Sequence, residues 1–260
     1  MKMCILEAHR GVGTDFPEET MRAFEAAVEQ GYGMIEMDTK FTKDDRCVLL
    51  HDRTINRTGR RRDGKAFAEK LPIAELTLEE VQQWEFGSWK HDAFAGEKIP
   101  LLEEVLELAR ETGIPLKFDN VLWTHSPAQK RIFFDSILEK HIGNLIGITC
   151  TDTDGIRTVR RILPEAHIHY DGAVTPDVMA EIAGLVPPEQ LTTWLRYDNP
   201  ITAWCKNPPV SEELAALVKR FGGLGVWLLT EKEELEDAVA RYGADVIETD
   251  GKLKPDRTGK

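Results

Sequence analysis

Along the chain, short apolar runs of four to six residues alternate with longer stretches in which apolar residues recur every three or four positions. The runs at 3–8, 34–38, 114–119, 145–149, 167–170, 191–195, 225–229 and 245–247 predict eight strands. Helical periodicity fills the gaps at 101–111, 129–140, 154–163, 176–185, 211–221 and 231–242. A further helix is expected to begin at Asp15-Phe16-Pro17-Glu18-Glu19, with proline and acids in its first turn, and to end at Gly31. Eight strands alternating with helices predict an α/β fold, a closed (β/α)8 TIM-like barrel rather than an open doubly wound sheet. The stretch 251–260 is short and polar, and no helix is expected after the last strand.

Two places break the rhythm. Twelve residues, Thr39 to Leu50, separate Asp38 from His51, too few for a helical crossover. They predict a hairpin centred on Asp44-Asp45, which sets Asp38 opposite His51. After it, roughly 53–98 is a small insertion that the barrel does not need. Its own apolar residues, Leu71, Leu76, Leu78, Val81, Trp84, Phe86 and Trp89, argue against a structureless loop and predict a unit packed over the barrel mouth. The basic run Arg57, Arg60, Arg61, Arg62 and Lys65 is expected to be solvated surface.

Size and charge narrow the class. A chain of 260 residues suits one barrel domain spanning 1–260. A formal charge of −12 repels polyanions and argues against nucleic acid as a partner. Cys4, Cys47, Cys150 and Cys205 are widely spaced with no Cys-x-x-Cys pair, as expected of buried small side chains in a reducing compartment. The first residues lead straight into a strand, without a signal-like or membrane-spanning segment, so a cytoplasmic location is expected.

The strand ends carry the chemistry. His9 and Arg10 follow the first strand, Glu36 and Asp38 share a face of the second, and Asp119 closes the third. Arg196 ends the sixth, Trp227 lies on the seventh, and Glu248 or Asp250 follows the eighth. In such a barrel these ends converge on one rim. Converging carboxylates suit a hard cation, Mg2+ or Ca2+, rather than zinc. Arg10 has the planar fork that matches a phosphate. His9 and His51 have the residue type for proton transfer near neutrality.

The motifs also resemble a known family. His9-Arg10-Gly11, Pro17-Glu18-Glu19-Thr20, Ile35-Glu36-Met37-Asp38, His51-Asp52-Arg53-Thr54 and Asn56-Arg57-Thr58 resemble the opening of the glycerophosphodiester phosphodiesterases. The likeness continues through Ile99-Pro100-Leu101-Leu102-Glu103-Glu104-Val105, Phe118-Asp119 and Val226-Trp227, and so covers nearly the whole chain. It implies a TIM-like barrel hydrolysing a small-molecule phosphodiester to glycerol 3-phosphate and an alcohol. The metal ligands would be Glu36, Asp38 and Asp119, with His9 and His51 as acid and base. Attack by the substrate's own hydroxyl, through a cyclic phosphate, is the implied route. Arg10 would hold the phosphate and Trp227 the glycerol side. The chain departs from the family at Asp119-Asn120-Val121, where Glu-x-Lys is usual, and Arg196 is the expected substitute for the lost lysine. Two alternatives stand beside this reading: a relative acting on lysophospholipid or sphingolipid headgroups with Trp84, Phe86 and Trp89 as a lip, and a metal-binding barrel without turnover.

Overall fold

The computed structural model describes residues 4–198 and 206–256. In chain order the elements that build the barrel are β1 (Ile5–Ala8), α1 (Met21–Gln30), β2 (Met34–Phe41) and the short β3 (Cys47–Leu49). Then come α2 (Leu78–Val81), α3 (Leu102–Thr112), β4 (Leu116–Asp119), α4 (Val121–Thr124), α5 (Pro127–Lys140) and β5 (Ile146–Cys150). The chain continues with α6 (Thr153–Ile162), β6 (His167–Tyr170), α7 (Pro176–Ala183) and β7 (Leu191–Arg196). It finishes with α8 (Glu212–Lys219), β8 (Gly223–Trp227), α9 (Lys232–Tyr242) and β9 (Val246–Thr249). Eight parallel strands run in the order β1, β9, β8, β7, β6, β5, β4, β2, and pairing of β1 with β2 closes the cylinder. The expected (β/α)8 barrel is the fold observed. The expected strand at 3 begins at Ile5 in the described chain; the reading of Cys205 and of 257–260 lies outside the described residues.

Alternation along the strands separates two interiors. Ile35 and Met37 of β2, Leu116 and Phe118 of β4, and Ile146 and Ile148 of β5 are buried in the large apolar cluster shared with Phe24, Leu102, Leu106, Phe133 and Ile137 of the helices. The intervening positions face the barrel axis and are unusually polar: Glu7, Glu36, Lys117, His169 and Glu248 are all buried. Trp194 fills the lower axis because Gly225 opposite it has no side chain; a Cβ there would stand 2.5 Å from the indole. Gly147 makes the same space for His169. Trp194 Nε1 donates to His169 Nδ1 at 3.0 Å, so the indole keeps a buried acceptor. Apolar stabilisation therefore comes from the layer between strands and helices, which frees the axis for charged groups.

Two local expectations shift. α1 starts at Met21, not in the 15–19 segment, because the Thr20 hydroxyl accepts from Ala23 N–H and caps it there. Pro17-Glu18-Glu19 is thereby left as loop, with Glu19 in the left-handed region at φ 54°. The hairpin exists, but its register sets Thr39 opposite Leu49, and Leu50 N–H donates to the Asp38 carbonyl. Asp38 thus faces Leu50, one residue from the expected His51, because the turn closes tightly with Thr42 N–H on the Arg46 carbonyl.

The stretch after the hairpin forms an apolar cluster with Val48 and Leu50 of the hairpin itself, in which Ile55, Ile73, Leu78, Val81, Phe86 and Ile99 are buried. Thr77 and Glu80 cap α2 reciprocally. Of the aromatics expected to form a lip, Phe86 is inside this cluster, Trp84 packs edge-on against Phe67 at 4.9 Å, and Trp89 is half-buried.

Candidate active site

β1 ends in a tight turn. Arg10 adopts φ 53° and Gly11 φ 78°, and a Cβ on Gly11 would meet the Ala23 backbone at 2.8 Å. This turn presents the His9 and Arg10 side chains at the barrel rim. His9 Nδ1–H donates to Asp250 Oδ1 at 2.6 Å, across the seam between β1 and the end of β9. Its Nε2 lies 3.9 Å from both Glu36 Oε2 and Glu248 Oε1. The Arg10 backbone N–H donates to Glu36 Oε2 at 3.0 Å, and its guanidinium donates to Glu18 Oε1 at 3.0 Å and lies 3.8 Å from Asp38 Oδ2.

Register brings the acids together. β2 and β4 pair with Asp38 beside Asp119, so Glu36, Asp38 and Asp119 each offer an oxygen, all within 4.8 Å of one another. Burial, and after it repulsion from Asp38, holds the Glu36 and Asp119 carboxyls above their ordinary range. Asn120 donates to Asp38, and Glu19 accepts from the Asp38 backbone N–H at 2.9 Å. Such a set, all oxygen and mutually repelling without a positive charge between them, fits a hard divalent cation.

His51 lies two residues beyond the end of β3, and its Nδ1–H donates to Asp52 Oδ1 at 2.7 Å. It reaches the rest of the site through a chain of ion pairs. Arg57 donates to Asp52 and, by both terminal nitrogens, to Glu18, which in turn holds Arg10. These links hold the Glu18 and Asp52 carboxyls near 2 against the opposing effect of burial. Arg57 is exposed, as expected of the basic run, and is at the same time the brace between the two histidine-bearing segments. The displaced start of α1 has the same cause: Glu18 and Glu19 leave the helix to pair inward.

The cavity beside this cluster holds about 360 Å3 and is lined by His9, Arg10, Glu18, Trp89, Lys90 and Asp250, with Gly13 and Thr14. Arg196 and Trp227 stand side by side at the ends of β7 and β8, but they are not among its lining residues. Trp227 is half-buried and packs against the axial cluster of Met34, Trp194 and Val246.

Several residues of this rim escaped the sequence reading. Lys117 Nζ donates to Glu248 Oε2 at 2.6 Å and Glu7 Oε1 at 2.8 Å, and sits 3.8 Å above the Trp194 ring. Nothing in a β-strand of alternating apolar residues marks such a lysine except its parity with Asp119. Asp171 directly follows β6, and burial, then Asp119, raises it to about 7. An acid directly after an apolar strand was the available signal.

Fold and site together define the class: a (β/α)8-barrel enzyme built around an acidic cluster, with imidazole and guanidinium at the same rim. The sequence profile of the Glycerophosphoryl diester phosphodiesterase family matches residues 9–183. A glycerophosphodiester phosphodiesterase of Caldanaerobacter subterraneus subsp. tengcongensis is 30% identical over 258 residues, 96% of this chain and 95% of that protein. The chain belongs to the glycerophosphoryl diester phosphodiesterase family. Solved structures share its fold. An Oleispira antarctica phosphodiesterase, in complex with the product sn-glycerol-3-phosphate, has a TM-score of 0.72 at 17% identity, covering 95% of this chain and 93% of that one. A Parabacteroides distasonis enzyme has a TM-score of 0.71 at 23% identity, covering 96% and 83%.

Proposed function

We propose that this chain hydrolyses glycerophosphodiesters to glycerol 3-phosphate and an alcohol, with a divalent cation held by Glu36, Asp38 and Asp119. The observation that carries the reading is the meeting of His9, Arg10 and the three carboxylates at one rim, with each imidazole bonded to an acid through Nδ1. The family of the chain and the product bound by the Oleispira antarctica relative support the substrate class. Bound there, Mg2+ or Ca2+ would neutralise phosphate charge.

The residues divide the remaining tasks. Arg10, fixed by Glu18 and by its backbone bond to Glu36, presents a guanidinium beside the acidic cluster. Asp250 and Asp52 occupy Nδ1 of His9 and His51, which leaves Nε2 of each ring as the nitrogen that works. One imidazole accepts the proton of the attacking hydroxyl as its oxygen bonds to phosphorus. The other donates a proton to the departing alcohol oxygen as the ester bond breaks; water then opens the cyclic phosphate, with one imidazole taking its proton and the other protonating the glycerol oxygen released from phosphorus. The free thiols of Cys4, Cys47 and Cys150 support a reducing, cytoplasmic setting. Among the described residues no helix is long and apolar enough to cross a membrane.

The test is a panel of glycerophosphodiesters assayed with and without EDTA for release of glycerol 3-phosphate, beside a micellar lysophospholipid. Release from the water-soluble diesters that stops with EDTA and in His9→Ala and His51→Ala is expected. Turnover confined to the micellar substrate, or undiminished by EDTA, refutes the proposal.

A further inference from the structure

The insertion contributes two side chains to the cavity, Trp89 and Lys90, and their placement is tightly determined. The Glu85 carboxylate accepts the backbone N–H groups of Gly87 and Ser88, each at 2.9 Å, and so fixes the turn that leads to them. Gly87 packs so closely on Phe94 that a Cβ would fall 1.8 Å from its carbonyl oxygen. Phe94 in turn packs at a tilt against Phe16, with ring centroids 5.7 Å apart, tying this turn to the segment after β1. The Trp89 indole N–H donates to the Phe86 carbonyl at 2.9 Å, which sets the ring as a wall.

Charge distinguishes the two cations of the cavity. Arg10 is surrounded by Glu18, Glu36 and Asp38, so much of its charge is already balanced. Lys90 forms no ion pair among the described residues; its Nζ donates to the Gly13 carbonyl at 2.6 Å and lines the cavity. An ammonium has three N–H donors. One is used by Gly13, leaving two for a ligand on an ammonium that lies 6.0 Å from the centroid of the Trp89 ring and pairs with none of the described carboxylates, Glu18 and Asp250 of the cavity wall included.

We infer that Lys90 is a substrate-binding residue, supplied by the insertion, that recognises the phosphate group of a small phosphoester, with Trp89 as the wall beside it. The inference rests on the proposed phosphodiester chemistry for its substrate, and its test separates binding from turnover. The competing role is a mechanical one, in which Lys90 straps the insertion to Gly13. Lys90→Gln separates the two, because the amide still donates to the Gly13 carbonyl but carries no charge, whereas Lys90→Arg keeps the charge.

Calorimetric titration of the full chain with glycerol 3-phosphate and with inorganic phosphate is expected to show Lys90→Gln weakening both about tenfold or more, with Lys90→Arg recovering most of the loss. On a glycerophosphodiester, the Gln variant should raise KM by a similar factor with kcat within about threefold. In the unsubstituted protein, glycerol 3-phosphate should protect Lys90 from acetylation by acetic anhydride, read by mass spectrometry. Wild-type binding by Lys90→Gln, or acetylation unaffected by the ligand, overturns the inference. A protein that binds phosphate through Lys90 yet hydrolyses no glycerophosphodiester refutes the proposed activity and upholds the inference.

Discussion

His9 Nδ1 and Asp250 Oδ1 lie 2.6 Å apart although 241 positions separate them in the chain. The bond spans the barrel seam, where β1 pairs with β9 from Ile5 opposite Val246 to Ala8 opposite Thr249. Closure of the cylinder is therefore also what orients the ring. Asp250→Asn keeps the shape but offers an amide in place of the carboxylate, so Nδ1–H loses its charged acceptor. A fall in kcat of roughly a hundredfold with KM nearly unchanged is expected, within the range that proton-transfer groups contribute. Steady-state kinetics beside circular dichroism checks it; a variant with undiminished kcat would remove Asp250 from the account.

The strand ends were readable because polar residues stopped apolar runs abruptly, as at His9, Asp38 and Asp119, and barrel topology then required them to converge. What escaped was set by partners distant in sequence. Thr20 rather than Pro17 starts α1 because Glu18 and Glu19 are drawn to Arg57, Arg10 and the Asp38 backbone. Lys117 lies inside a strand, where its charge is tolerated because it meets the Glu248 carboxylate, with Glu7 accepting a second N–H. Lys90 lies in an insertion whose internal apolar cluster was foreseen, but whose contact with Gly13 depends on how that cluster docks.

The acidic trio makes opposite predictions for the free and the metal-loaded chain. With chelator present, Asp119→Asn removes one of three mutually repelling, mostly buried carboxylates and should raise Tm. With Mg2+ or Ca2+ at a hundred times its Kd, the unsubstituted chain should gain about 2.7 kcal/mol, and the variant should gain much less. Scanning calorimetry in EDTA and in each metal reads both effects. A metal-induced gain of the same size in Asp119→Asn would mean the cation binds elsewhere.

Lys117 and Glu7 should respond unequally to substitution. Burial, opposed by Lys117 and reinforced by Glu248, lifts the Glu7 carboxyl to about 8, so near neutrality it is largely protonated. Glu7→Gln imitates that state and is expected to cost no more than about 1 kcal/mol. Lys117→Met leaves Glu248 buried without its partner and is expected to cost about 3–5 kcal/mol. Urea denaturation in EDTA ranks them; equal losses would show that the charge at Lys117 has no part in holding the axis together.

Asp171 makes a pH prediction whose sign is fixed by the direction of its shift. Its carboxyl is raised from 3.8 to about 7 by burial, then by Asp119, with Lys117 opposing. A carboxyl held higher in the folded than in the unfolded chain stays protonated while the unfolded chain ionises, so folding stability falls as pH rises from about 4 through 7. Asp171→Asn cannot ionise and escapes that loss. In chelated protein, its stability relative to the unsubstituted chain should therefore improve between pH 5 and pH 8, by about 2–3 kcal/mol at most, and change little above. Paired denaturation curves across that interval supply the comparison. An Asn variant whose stability difference is the same at both ends would place Asp171 in water rather than among the acids of the rim.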